Sequence, residues 1–242
     1  MIGAFFNTTL YTPLYNGLIL LTDFLPWANI GLAVVVFTII VRIALFPLST
    51  KAVRTQIKLR ELQPELDTLK EQYGKDQQQY AVKMLELYRK NQVNPFASIF
   101  FLLIQLPIII TLYYVFAKAG FPDIHTNMLY SFVSIPDNVS MFFLGLDIGQ
   151  KSVILAFLAG ITTYIQTKLT LPKPKKSAKP SFQNDLARSM NVQMTYIMPL
   201  VIFFIAWNIV GVVALYWFTS NMFTIAQEIY MRKKGIKKND TN

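Results

Sequence analysis

Arg42 is the one charged residue in the apolar run Ala28–Leu48, within the stretch "FTIIVRIALFPLS". An arginine at membrane depth costs roughly 2.5–3.5 kcal/mol on insertion scales, so its presence implies polar or hydrated surroundings. The chemistry available to it is electrostatic: attraction of an anion or a carboxylate. Thr38 lies one helical turn away on the same face. Neutral hydrogen-bonding residues interrupt other apolar runs: Gln105 beside Pro107, then Thr162, Thr163 and Gln166. Trp217, Ser220, Asn221 and Thr224 recur at i, i+3, i+4 and i+7, one face of a helix. No apolar run carries Asp or Glu well inside it, which argues against an ion-coupled transporter built on buried carboxylates.

Other chemistries find few residues. The chain has no Cys and a single His, His125, which cannot build a His-based metal site alone. No GxxxxGK[ST] nucleotide loop occurs, and no Ser–His pair falls at membrane depth. Neither cofactor nor metal is expected, and the protein is not read as an enzyme. Each polar residue alone has a structural explanation. Ser and Thr bond their own i−4 carbonyls, Gln links helices at about 0.6 kcal/mol, and Trp217 suits an interfacial belt. Arg42 lies roughly 9 Å from the nearer end of its run, close enough to snorkel. Taken together, a cation and polar faces on several helices suggest a water-filled cavity opening inward.

The elements that must position these residues follow from hydropathy and charge. Of 242 residues 53% are apolar and 15% charged, a membrane-protein balance. Five runs approach the roughly 18–20 residues needed to span a bilayer, so transmembrane helices are expected at 28–50, 95–117, 152–171, 192–209 and 210–230. The last two could be read as one helix. From Met194 to Met231 it would measure about 57 Å, nearly twice the hydrocarbon thickness, so a tight turn is expected near Asn208–Gly211. The net charge is +10, and 20 of 23 Lys/Arg residues fall in 51–94, 168–192 and 231–242. By the positive-inside rule these connections are cytoplasmic, with the amino terminus outside and the carboxyl terminus inside a bacterial plasma membrane. Residues 1–27 lack the basic region and cleavage site of a signal peptide and are expected as an outer interfacial segment.

Residues 51–94 are polar yet periodic. Leu62, Leu66, Leu69 and Tyr73, then Tyr80, Met84 and Leu87, recur every three or four residues on either side of Gly74. An antiparallel cytoplasmic helical hairpin is expected, with Pro64 starting a new turn or kinking the first arm. The loop 172–191 is Pro- and Lys-rich and is expected to be disordered. The loop 118–151 is expected to fold on the outer membrane surface, and 231–242 forms a short basic tail.

Five segments, "GLAVVVFTIIVRIALFPLSTKA", "ELQPELDTLKEQYG", "NPFASIFFLLIQLPIIITLYYVF", "LAGITTYIQTKL" and "VVALYWFTSNMFTIAQEIYM", resemble in this order the core of the YidC/Oxa/Alb family of membrane protein insertases. The resemblance implies an all-α polytopic fold: five transmembrane helices around a hydrophilic groove, plus the cytoplasmic hairpin. It implies that Arg42 lies in that groove, with Gln166 and Trp217 at matching positions. Thr38, Tyr216 and Trp217 match positions implicated in contacting incoming substrate helices; Gln105 and Ser220 match less directly. The chain departs from the family where Phe101 stands in place of a frequent proline. The partners implied are nascent membrane proteins with short acidic outer tails and membrane lipids. The ribosome, the signal recognition particle or its receptor, and the Sec translocon are implied as delivery machinery.

Two other readings compete: a small anion transporter or channel using Arg42, and an assembly factor that only holds other membrane subunits. The charge asymmetry gives a direct test of topology. Single cysteines at Ser140 and Gln183 should react with a membrane-impermeant maleimide from opposite sides of intact membranes, Ser140 from outside. Labelling from one side for both would overturn five spans.

Overall fold

A computed structural model describes residues 7–25, 29–74, 76–94, 107–116, 124, 126–136, 139–170, 189 and 192–239. The fold is mainly helical. A π-helical turn, Asn7–Tyr11, leads into α1, Thr12–Phe24, with Pro13 in its first turn. Helix α2, Ile30–Ala44, starts at Asn29, whose side chain accepts from the Leu32 amide at 3.0 Å and satisfies one of the free N–H groups of the first turn. Rather than lying alone, α1 packs on α2 and buries Leu14, Tyr15, Leu18 and Ile19.

The run expected as one helix over 28–50 is broken. Helix α3, Phe46–Glu61, departs from α2 at 69° after Leu45. Pro47 gives the reason: it has no N–H to bond the carbonyl four residues back, and it disfavours helical geometry at Phe46. Pro64 acts similarly at the next break. Helix α4, Gln63–Tyr73, restarts after Leu62 with Pro64 in its first turn. Helix α5, Gln77–Lys90, is capped by Asp76, which accepts from the Gln78 and Gln79 amides. Between them α4 ends at Gly74, whose backbone stays in the right-handed region rather than forming a left-handed stop. Leu62, Leu66, Leu87 and Val93, with Leu59, Leu69, Met84 and Tyr88 against them, form one hydrophobic cluster between the arms. Partial burial pushes the Tyr88 phenol of this cluster up, with Tyr80 adding to the effect, and raises the Tyr80 phenol too, with Asp67 adding there.

The larger core joins α1 and α2 to α6, Pro107–Phe116, α7, Val153–Thr170, α8, Met198–Asn208, and α9, Gly211–Asn239. A π-helical turn, Gln193–Ile197, runs straight into α8. Only Ile209 and Val210 separate α8 from α9, with Ile209 extended. Helix directions follow from who meets whom. Gly211 bonds Gln150, Asn221 bonds Thr162, and Thr170 bonds Glu228, so α9 runs parallel to α7. Arg42 meets Ser220 and Ser49 meets Gln227, so α9 follows the chain from the end of α2 into α3 in the same sense. Tyr196 lies beside Tyr164 while Phe203 packs on Gly160, so α8 is antiparallel to α7.

At the Gly211 end the loop between α6 and α7 folds over the bundle. Its short hairpin pairs β1, Phe142–Phe143, with β2, Leu146–Asp147. The Ile30 amide donates to the Ser140 carbonyl, the Asn29 side chain to the Phe142 carbonyl, and the Val212 amide to the Ile148 carbonyl. Asn16, buried on α1, donates to the Met128 carbonyl and accepts from the Tyr130 amide at 2.7 Å. Among the described residues α7 alone is long and apolar enough to cross a membrane unaided. The bent α2–α3 pair passes if counted as one span, and Pro107–Phe116 and Gln193–Asn208 are shorter apolar helices. Residues 95–106 and 171–188, where the start of the second expected span and most of the basic loop fall, lie outside the described residues. Large apolar side chains project outward from the helices, among them Ile40 and Ile43 of α2, Phe157 of α7 and Leu200 and Phe204 of α8. Exposed apolar area of this kind marks a surface that lipid or a partner covers.

Gly31 is the closest approach of hairpin to helix: a Cβ there would stand 2.4 Å from Phe143 Cβ. Gly31→Ala is expected to cost about 1–3 kcal/mol by overpacking. Thermal unfolding of the purified protein in detergent should show a lower midpoint than wild type.

Candidate functional site

Helix α9 carries the site because it is apolar over its first turns and polar beyond. Val212, Val213, Ala214 and Leu215 are buried in the core; from Tyr216 onward, hydroxyls and amides alternate with apolar residues. Successive residues on a helix differ by about 100° in direction, so neighbouring polar residues on α9 reach different helices.

Ser220 reaches α2. The Arg42 Nε donates to Ser220 Oγ at 3.0 Å, and a second guanidinium nitrogen, Nη2, donates to the same oxygen. Arg42 is 6% exposed, in the last turn of α2 just before the bend. Tyr216, one turn back on α9 and also buried, lies within electrostatic reach of the guanidinium. The hydroxyl orients the guanidinium, so the pair fixes the direction in which a cation is held between α2 and α9. Thr38 is buried one turn before Arg42, and its hydroxyl donates to the Val34 carbonyl at 2.6 Å, the local bond typical of threonine in helices.

Asn221 reaches α7. Its amide donates to Thr163 Oγ1 at 2.9 Å and Thr162 Oγ1 at 3.2 Å. Both threonine hydroxyls donate in turn to carbonyls of their own helix. Gln166 follows one turn along α7 and is half-buried. Trp217, also half-buried, packs against the core, and Thr224 donates to the Ser220 carbonyl. The structure thus joins Arg42, Ser220 and Tyr216, with Thr38 on the same helix as Arg42. Gln166 stands on the other flanking helix. Gln105 lies outside the described residues.

Two further contacts, absent from the sequence-based set, close the far end. The Gln227 amide donates to Ser49 Oγ at 2.8 Å and Thr50 Oγ1 at 3.1 Å, tying α9 to α3. Glu228, 1% exposed, accepts from Thr170 Oγ1 at 3.0 Å and pairs with Arg232 at 2.6 Å. Arg232 also donates to the Leu169 carbonyl. A carboxylate is therefore buried among the helices, near the last residues of the apolar stretch expected as the 210–230 span. The signal was available: the spacing Ser220, Thr224, Gln227 and Asn221, Glu228 continues the polar face by i+4, i+7 steps.

The 60Kd inner membrane protein family model matches residues 20–239. The chain belongs to this family of membrane proteins. It is 33% identical over 219 residues to membrane protein insertase YidC 1 of Bacillus cereus, covering 86% of this chain and 74% of that one. It is likewise 33% identical over 217 residues to membrane protein insertase MisCA of Bacillus subtilis, covering 87% and 73%. Membrane protein insertase YidC of Cellvibrio japonicus is 33% identical over 230 residues, which are 95% of this chain but 36% of that longer protein. The resemblance drawn from the five sequence segments thus holds along most of the chain.

The Glu228–Arg232 pair is asymmetric, since Arg232 is partly exposed and Glu228 is not. Arg232→Ala leaves a buried carboxylate without its cation and should cost about 2–3 kcal/mol. Glu228→Gln keeps a hydrogen-bonding group and should cost about 1 kcal/mol. Unfolding of both variants in detergent at one pH, followed by tryptophan fluorescence, measures the difference; equal losses would show that burial of the carboxylate is not the controlling factor.

Proposed function

We propose that this protein is an insertase and folding chaperone for newly made membrane proteins, working in a bacterial plasma membrane without cofactor or nucleotide. Its substrates would enter a hydrophilic groove floored by α9 and flanked by α2 and α7. The observation that carries this reading is the divergence of two adjacent residues, Ser220 to Arg42 on α2 and Asn221 to Thr162 and Thr163 on α7. A floor helix that holds both flanking helices through polar side chains leaves its polar face directed between them. Thr38, Gln166, Tyr216 and Trp217 would line the path with Arg42 and Ser220, and Gln105 belongs to the same proposed set. Five spans, with the amino terminus outside and α4–α5 in the cytoplasm, follow from the distribution of basic residues.

The mechanism is electrostatic capture followed by partition. At an effective dielectric of about 20, a carboxylate 8 Å from a guanidinium is attracted by about 2 kcal/mol, enough to raise its local occupancy more than tenfold. An acidic outer tail would be drawn to Arg42 part-way across the bilayer. The apolar segment behind it would then move into lipid, and its burial supplies the driving force. The α4–α5 hairpin, joined to the bundle through the bent α3, would receive the nascent chain from the ribosome, the signal recognition particle or its receptor, or hand it on with the Sec translocon. The relatives above carry the name insertase, which gives the anion-transporter alternative no support.

The test uses one single-span substrate made with an acidic or a neutral outer tail, and proteoliposomes holding equal amounts of wild type, Arg42→Lys or Arg42→Ala. Arg42→Lys should retain most insertion of both substrates. Arg42→Ala should lower insertion of the acidic-tail substrate about tenfold and leave the neutral-tail substrate within about twofold. An equal loss on both tails would make Arg42 a structural anchor instead.

A further inference from the structure

The turn of the β1–β2 hairpin is built from residues that a turn alone would not select. Leu144 has φ 50° and Gly145 φ 81°, two successive left-handed positions, the pattern of a type I′ turn, in which Asn or Asp usually precedes Gly. A leucine there is strained by its Cβ, where asparagine would be tolerated. Its side chain is also 87% exposed. Both features disfavour leucine in water, so something outside the protein must cover it.

Phe142 belongs to the same surface. Successive residues of a strand face opposite sides: Phe143 packs on Gly31, while Phe142 points away and is 63% exposed. Apart from its two chain neighbours, no described residue comes within 4 Å of the place a Cβ of Gly145 would occupy, so the tip projects clear of the bundle. The position of the hairpin identifies the cover. Asn29 bonds the Phe142 carbonyl and Ile30 bonds the Ser140 carbonyl, which fastens β1 to the first turn of α2. Further along, α2 exposes Ile39, Ile40 and Ile43. A loop fixed to the end of a lipid-facing helix sits at the depth of the headgroups, where leucine and phenylalanine side chains reach the acyl boundary.

We infer that Leu144 and Phe142 form a lipid-insertion tip that anchors the outer loop in the outer leaflet of the bilayer. This rests on the membrane-spanning reading above. The tip fixes the hairpin that covers the start of α2 and, through Ile148, the start of α9, so that end of the bundle is held by the bilayer as well as by its own hydrogen bonds.

The native chain has no Cys, which makes single-cysteine probes unambiguous. The variants Leu144→Cys, Gln150→Cys and Phe157→Cys, each carrying an environment-sensitive nitrobenzoxadiazole label, are reconstituted in phosphatidylcholine–phosphatidylglycerol vesicles. Lipids bearing a nitroxide at the headgroup or at acyl carbon 5 or 12 serve as quenchers. The label at Leu144 should be blue-shifted and quenched at least twofold more by the carbon-5 nitroxide than the label at exposed Gln150. The label at Phe157, on the outward face of α7, tests the spanning reading separately through quenching at carbon 12. Quenching at Phe157 without quenching at Leu144 overturns the tip and leaves the spans standing; it would make a protein partner the cover. Loss of quenching at both sites overturns the spans and the tip together. Leu144→Asn with the probe at Phe142→Cys gives an independent check. The turn should fold at least as well, while acyl quenching at position 142 should fall at least twofold; unchanged quenching there would show that Leu144 does not hold the tip in lipid.

Discussion

A guanidinium fixed by a hydroxyl inside a helix bundle constrains everything packed around it. Arg42 and Ser220 are separated by 178 residues in the chain, and their bond sets the register of α2 against α9. A one-residue slip on α9 would turn Ser220 away by about 100° and present a neighbouring side chain to the charge. A polar group buried as deeply as Arg42 takes its hydrogen bonds from the protein around it. The charge therefore selects one register, and the apolar residues on either side need only fit it.

Helix α9 is held by different chemistry at its start and beyond its midpoint. At Gly211 the bonds are between backbone groups: Gly211 to Gln150 and Val212 to Ile148. Gly211 itself is required there, because a Cβ would stand 2.9 Å from the Gln150 carbonyl oxygen. Around Gln227 and Glu228 the links are side-chain bonds, Gln227 to Ser49 and Thr50, and Glu228 to Thr170 and Arg232. Backbone bonds reinforced by close packing yield little. Neutral side-chain bonds such as those of Gln227 average about 0.6 kcal/mol within membranes, while the ion pair of buried Glu228 is costlier to break. Helix α9 is thus held through backbone groups at the Gly211 end and through side chains around Glu228.

The bend at Leu45 separates two cores. Helix α2 belongs to the large core, whereas α4 and α5 have a core of their own built on Leu62, Leu66, Leu87 and Val93. Helix α3 connects them, held to α9 by the Ser49 and Thr50 bonds and by the edge-on contact of Phe46 with Phe223 at 6.5 Å. A shift of the hairpin would therefore be felt first at Gln227, two turns from Ser220 and the Arg42 contact.

Periodicity, charge and proline were readable along the chain because each acts within a few residues. Of the residues at three–four spacing, Leu62, Leu66, Leu69, Met84 and Leu87 cluster between α4 and α5, whereas Tyr73 and Tyr80 stand outside that cluster. Pro64 marks a helix start, and the length of an unbroken 194–231 helix points to the two-residue break after Asn208. Arg42 was conspicuous because one charge in an apolar run has a cost that must be met somewhere. What met it was not readable. Ser220, Tyr216, Asn221 and Gln227 lie on one helix, and nothing local says that the first two face Arg42, the third Thr162 and the fourth Ser49. Nor does local sequence reveal that Asn16 fastens α1 to the 128–130 segment, or that the two-residue strands at Phe142–Phe143 and Leu146–Asp147 pair over Gly31. Local preferences fix where helices begin, bend and end. Which polar face meets which is decided only when the whole chain packs, because those hydrogen bonds join residues far apart in sequence and only one packing satisfies them together.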